Sequence, residues 1–386
     1  MQCGFRVFYI ALLLYSLHWS IIVYINSSYL EQFFNTQTIS ILYIVASLIT
    51  LTAYLSVPFF LNRTGIVRLT IILTIVEILA LCGMAFTQSL YSALILFIIH
   101  QAITPLILYT LDVLMEGLIG ENETTTGGRR GIFLTIGSLT SAIALLIMGL
   151  LVGDTTPHFG FAYAISAFLL IPFLAILIYN FSKYSDPHYV EFKVLENITL
   201  FWQKTDIRNV FFAHFFLQIF FAWMVIYTPL YLAHEMHFGW REIGLIIFVA
   251  MLAYVFLEYL IGYLADNFFG EKEMMALGFV IMSVSISWFV FLDNSSILLW
   301  MGAMFMTRVG ASFVEVTTES YFFKQTKNSD ASTVGIFRIA QPLAYIIGPV
   351  IGGSLLMFFS FSFTFVLIGL LMIFGLFFTM ALKDTR

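Results

Sequence analysis

Charge is what this sequence has least of. Only 10% of its 386 residues are Asp, Glu, Lys or Arg, against roughly 25% in an average soluble chain, and 61% are hydrophobic. Too little polar surface remains to coat a globule of this length, so the apolar surface must face lipid and a water-soluble fold is excluded. Cysteine is nearly absent. Cys3 lies near the start and Cys82 inside an apolar run, which gives neither a disulfide framework nor a redox centre. The 17 Lys and Arg are scattered, they form no basic stripe, and the net charge is -5, so nucleic acid is not a partner. No Gly-x-x-x-x-Gly-Lys-Ser/Thr loop occurs, which excludes ATP hydrolysis by the P-loop route. The histidines of His234-Glu235-Met236-His237 stand three apart, not the four of a zinc-protease helix. A serine-hydrolase elbow and an intramembrane aspartyl-protease motif are also missing, so no enzyme, metal or cofactor chemistry is expected.

Long apolar runs are what the sequence does have. A bilayer core of about 30 Å takes about 20 residues of helix, and runs of that length fall at 6–30, 39–61, 66–87, 91–119, 131–152, 160–182, 208–233, 242–264, 274–292, 296–323, 331–358 and 361–382. The first is too long for a signal peptide and no small-residue cleavage site follows it, so it reads as a retained helix. Arg6, Arg63, Arg68, Arg129, Arg130, Lys183, Lys193, Lys204, Arg208, Lys272, Lys324, Lys327, Arg338, Lys383 and Arg386 fall at one side, Arg241 at the other, and Arg308 inside a span. This bias predicts a multi-pass protein of the plasma membrane with both termini cytoplasmic. Residues 183–207 form the one long connector. There Phe192, Leu195, Phe201 and Trp202 among Lys193, Glu196 and Lys204 fit either an interfacial amphipathic helix or a plain polar linker.

The second half repeats the first. Asp112 to Glu116 matches Glu315 to Glu319, Gly131-Ile132-Phe133 matches Gly335-Ile336-Phe337, Gly65 matches Gly270, and Tyr29-Leu30 matches Tyr231-Leu232, all at nearly the same offset. The repeat holds six spans, an even number, so both copies enter the membrane from the same side. The expected fold is an all-α membrane protein of twelve transmembrane helices in two pseudo-symmetric six-helix bundles. Residues 1–182 and 208–386 are the bundles and 183–207 the linker.

Gly262-Tyr263-Leu264-Ala265-Asp266-Asn267-Phe268-Phe269-Gly270 resembles the Gly-x-Leu-Ala-Asp-x-x-Gly loop of the major facilitator superfamily. Its counterpart from Pro58 to Arg68 is a decayed copy with Asn62 in place of the acid. Thr228-Pro229-Leu230-Tyr231-Leu232 and Gly348-Pro349-Val350-Ile351-Gly352-Gly353 carry further likeness, which spans essentially the whole chain. The family's exporters resemble one another in a Gly-Pro-x-x-Gly-Gly run in span five. Here that run is in span eleven, against the exporter reading. The resemblance implies alternating access, a cavity lined by spans one, four, seven and ten, and a gating latch. In the latch Asp266, between Gly262 and Gly270, meets the start of span five near Arg130; a plain loop cap is the rival reading.

Ionisable groups inside spans are costly and are functional candidates by default. Arg308 lies roughly 18 Å along span ten, near the midplane, as do His18 and His100 in spans one and four. Arg308, Ser312, Glu315 and Glu319 share one helix face. Arg308 either binds a carboxylate or phosphate of a substrate or forms an internal ion pair with Glu315 or a neighbouring acid. His18 and His100 either carry protons or are neutral and hydrogen-bonded. Gln218 and Tyr227, with His214 and Trp223 on span seven and Tyr15, Trp19, Tyr24 and Asn26 on span one, extend the candidate lining. Asp112, Glu116, Glu315 and Glu319, with Arg130 and Arg338, form a gating layer of ion pairs or include the proton carrier. Glu77 and Glu258 have no assigned role.

The sequence thus predicts a monomeric secondary transporter in a lipid bilayer. It would move a small-molecule substrate, a small organic anion in the first reading, coupled to protons or another ion. A proton-driven multidrug exporter of lipophilic cations is the second reading, and a transport-inactive receptor or scaffold on the same fold is the third.

Overall fold

The computed structural model of the chain describes residues 2–119, 126–154, 157–186, 199, 201–292, 296–325 and 337–383. Phe192, Lys193, Leu195 and Glu196 of the connector, and Gly335 and Ile336 of the repeat, lie outside the described residues, as do the side chains of Glu116, Arg130 and Asp266. Among the described residues there is no strand, and twelve helices are long and apolar enough to cross a membrane. Spans one to six are Gln2–Ile22, Thr36–Thr64, Ile66–Phe86, Leu90–Ile119, Thr126–Val152 and Phe159–Phe181. Spans seven to twelve are Thr205–Ile226, Trp240–Leu264, Glu271–Ser287, Ile297–Gln325, Ala340–Phe358 and Phe361–Met380. Lipid offers backbone amides no hydrogen-bond partner, so each segment satisfies its own by forming a helix. The chain is an integral multi-pass membrane protein.

Spans one and seven are each extended by a short helix, Asn26–Glu31 and Thr228–His234. Pro229 sits in the first turn of the latter, where a missing N–H breaks no helical bond. The first break matters for the site, because it places Asn26 at the head of a new helix and buries its amide.

The chain divides into two units, Met1–Glu191 and Phe192–Arg386. In the first, span one packs on five and six, two on four, and three on four and six. In the second, span seven packs on eleven and twelve, eight on ten, and nine on ten and twelve. The same pairing scheme therefore occurs twice. The turns between spans two and three and between spans eight and nine repeat as well. Gly65 has φ 78° and ψ 157°, Gly270 has φ 85° and ψ 159°, a region open essentially to glycine alone. Within each repeat the buried faces follow helical spacing. Thr70, Thr74, Glu77, Leu81 and Met84 are buried along span three, and Ala93, Phe97, His100, Thr104, Ile107 and Leu111 along span four.

Candidate functional site

Two polar clusters are built into these helices, one in each unit. In the first, Glu77 of span three is fully buried and its Oε1 lies 2.5 Å from His100 Nδ1 of span four. Thr104, one turn on from His100, donates to the His100 carbonyl at 2.8 Å and reaches Glu77 Oε1 at 3.4 Å. The Asn26 amide nitrogen is 3.3 Å from His100 Nε2, and Tyr163 of span six donates to Asn26 Oδ1 at 2.6 Å. From span one, His18 Nδ1 lies 2.6 Å from Ser166 Oγ of span six, and its Nε2 faces Glu77 Oε1 at 3.8 Å. Tyr15 caps this side by donating to the Thr104 carbonyl at 2.5 Å. The structure thus brings together the two expected histidines, His18 and His100, around an acid that had no assigned role.

The second cluster centres on Arg308, which is buried within span ten about 17 Å along the helix from Ile297. Its guanidinium carbon lies 5.2 Å from the Phe220 ring centroid and 5.9 Å from that of Phe221, both on span seven. A cation over aromatic faces in a desolvated place is held by the ring quadrupoles as well as by packing. Ser312 lies one turn on, buried, with its hydroxyl donated to the Val309 carbonyl of its own helix. Glu315, Glu258, Glu319, Arg338 and Arg308 share one electrostatic neighbourhood. Gln218 Nε2 is 3.1 Å from His214 Nε2, and His214 Nδ1 is 3.2 Å from Thr318 Oγ1, with the imidazole stacked on Phe337. Tyr227 takes a packing role. Its ring fills the space beside Gly352 of span eleven and its hydroxyl reaches the Pro349 carbonyl at 3.4 Å.

The expected gating residues divide. Glu319 and Arg338 form an ion pair at 2.8 Å, both partly exposed and both in the second unit. Asp112 is half-buried near the end of span four. Asp266 stands in a single π-helical turn, Ala265–Phe269, between Gly262 and Gly270. Glu271, the residue after Gly270, is buried and bonded to Ser320 at 3.0 Å and to Lys324 of span ten. The matching turn in the first unit lacks an acid of its own at Asn62. There Asp186, five residues past the end of span six, accepts from the Ile66 amide at 2.8 Å and packs over Gly65. A carboxylate at a helix N-terminus neutralises the exposed amide dipoles, which Asp186 does for span three, while the Glu271 carboxylate turns to Ser320 and Lys324 of span ten.

The sequence model of the family described as Major Facilitator Superfamily matches residues 210–386. Among solved structures, a variant of the nucleoside transporter NupG is similar over 98% of this chain and 99% of that one, with a TM-score of 0.79 and 13% identity. A POT family transporter in complex with 5-aminolevulinic acid is similar over 98% of this chain and 95% of that one, with a TM-score of 0.81 and 12% identity. The second unit matches the Major Facilitator Superfamily model, and the whole chain has the fold of these solved transporters. No curated protein sequence matches it. At such identities the structural likeness speaks for the fold alone.

Sequence reasoning singled out Arg308, His18 and His100, which the structure buries, but not the residues packed around them. Glu77 was visible as a lone acid in an apolar span, and Thr70, Thr74 and Glu77 share a helical face that marks its buried side. Phe220 and Phe221 carried no signal among 43 phenylalanines. Asp186 and Glu271 lie outside any motif.

Proposed function

We propose that this secondary transporter moves a small organic anion by alternating access, with protons as the coupling ion. The observation that carries the anion reading is Arg308, a permanently protonated guanidinium buried at mid-span and seated on Phe220 and Phe221. Such a planar donor suits a carboxylate or phosphate in a bidentate pair. Of the structural neighbours, one is bound to 5-aminolevulinic acid and one is a nucleoside transporter, and the buried cation favours the acid over the neutral class. The absence of a P-loop in the sequence and the histidines at mid-span support an ion gradient as the energy source. The charge bias supports a plasma-membrane protein with both termini cytoplasmic. Asp266 remains the proposed latch, tested by a distance-label measurement in which Asp266→Asn shifts the inward and outward populations; unchanged populations exclude it.

The deciding experiment is thermal stabilisation of the detergent-purified protein against organic anions, lipophilic cations and neutral nucleosides, because a ligand of the folded state raises apparent stability. Anions are expected to stabilise the wild type, and Arg308→Ala to lose that stabilisation by tenfold or more in apparent affinity, about the 1.4 kcal/mol or more of a charge-assisted pair. Stabilisation by lipophilic cations alone would overturn the anion reading in favour of the exporter. A stabilising ligand without any flux in liposomes would leave the receptor or scaffold reading.

A further inference from the structure

The bonds around Glu77 fix where protons already are. Tyr163 donates its hydroxyl proton to Asn26 Oδ1, so the Asn26 amide turns its N–H group to His100 Nε2. That nitrogen must then offer a lone pair, which leaves the ring proton of His100 on Nδ1, donated to Glu77 Oε1. On the other side, Ser166 donates its hydroxyl proton to the His18 carbonyl at 3.0 Å, so Ser166 Oγ accepts from His18 Nδ1. His18 Nε2 therefore carries a lone pair. It is buried, makes no hydrogen bond, and faces Glu77 at 3.8 Å. Glu77 Oε2 is buried and makes none either. Buried polar atoms of a purely structural cluster are normally satisfied, and here the two open atoms belong to an acid and a base in contact.

We propose that Glu77 and His18 form a proton-binding site within the first unit and that its proton is the coupling ion of transport. This rests on the reading of the chain as a proton-driven carrier. One proton from water adds to Glu77 at Oε2, in the field of the open His18 Nε2, and returns to water on release, with no other bond made or broken. His100 holds the carboxylate in place from its far side through Nδ1, while Asn26 occupies its Nε2. The titratable groups that face the pair are Tyr15 of span one, His100 of span four and Tyr163 of span six, and behind them Tyr54 of span two neighbours Tyr15 while Tyr43 of span two and Tyr29 of the short helix neighbour Tyr163. Among the described residues no lysine or arginine pairs with Glu77. A metal ion fits less well, since among the described residues no three His, Cys, Asp or Glu side chains gather to hold one. Spans one, three, four and six all meet at the site, so its occupancy is written into the packing of four helices.

The test is an infrared pH titration of the full-length protein in lipid nanodiscs, with protons as the only ligand, following the carbonyl stretch of a protonated carboxylic acid. A band that titrates in the wild type, disappears in Glu77→Gln and changes its midpoint in His18→Gln is expected. A band that survives in Glu77→Gln, an unchanged midpoint in His18→Gln, or no titrating band at all would overturn the site. If Glu77→Gln does not fold, His18→Gln and Ser166→Ala keep the carboxyl and decide the matter by the same midpoint. With an anion that stabilises the wild type, folded Glu77→Gln is expected to retain exchange of that anion and to lose its accumulation under a pH gradient; retained accumulation overturns the coupling role. The two readings fail separately. A titrating Glu77 band without any anion binding removes the anion reading alone, and anion binding lost in Arg308→Ala without a titrating band removes this site alone.

Discussion

Gly65 and Gly270 show what a single position can demand. Both hold a positive φ with an extended ψ, where a Cβ meets the neighbouring carbonyl, so either glycine replaced by alanine must strain the turn or rebuild it. Gly65→Ala and Gly270→Ala are each expected to lower stability by about 1–3 kcal/mol, read as a fall in the unfolding temperature in detergent. Gly65→Ala should be the worse of the two, because its added carbon also runs into the Asp186 carboxylate. Gly137→Ala, whose Cβ meets nothing within 4 Å, is the control and should not destabilise. These two glycines were legible from the repeat. The partner of Glu77 was not, because His100 is 23 residues away on another helix and no local spacing connects them. Tyr227, expected in the lining, sits at the break after span seven with its ring packed against Gly352.

At the scale of helices, spans nine and ten come together through small residues. A Cβ at Gly278 would lie 2.8 Å from the Gly310 carbonyl oxygen, and one at Gly310 would lie 2.7 Å from the Met282 amide. Backbone is in contact with backbone there, which only glycine permits. Gly310→Val is therefore expected to separate the two helices and abolish the monodisperse peak in size-exclusion chromatography, whereas Gly302→Val on the same span, with open space around it, should elute as the wild type. The existence and number of the spans followed directly from hydrophobic runs, since lipid selects helices of one length. Where a helix stops inside a run did not follow. The break after Ile22 and the one at Tyr227 lie in apolar sequence, and the break that positions Asn26 is what completes the shell around His100.

At the scale of the whole molecule, the duplicated pairing of helices makes one consequence of charge testable. If the cation bias sets orientation, Glu235→Cys in a chain without Cys3 and Cys82 reacts with an impermeant thiol reagent on intact cells, and Lys204→Cys reacts only after the membrane is opened. Both positions are exposed, so a reversed pattern would mean reversed orientation. The two-bundle architecture was readable because four short matches kept nearly one offset, but the difference between the bundles was not. The first unit borrows Asp186 from beyond its last span to hold the Ile66 amide, while in the second Glu271 ties the matching turn to Ser320. That borrowing sets rules for anyone who wants to cut or extend the chain. With Tyr184 seated against Gly117 and Asp186 bound to Ile66, the strand leaving span six is already fastened at two points. A fusion partner or protease site inserted between Ser182 and Asp186 would pull out both fastenings, while the same insertion after residue 187 would disturb neither.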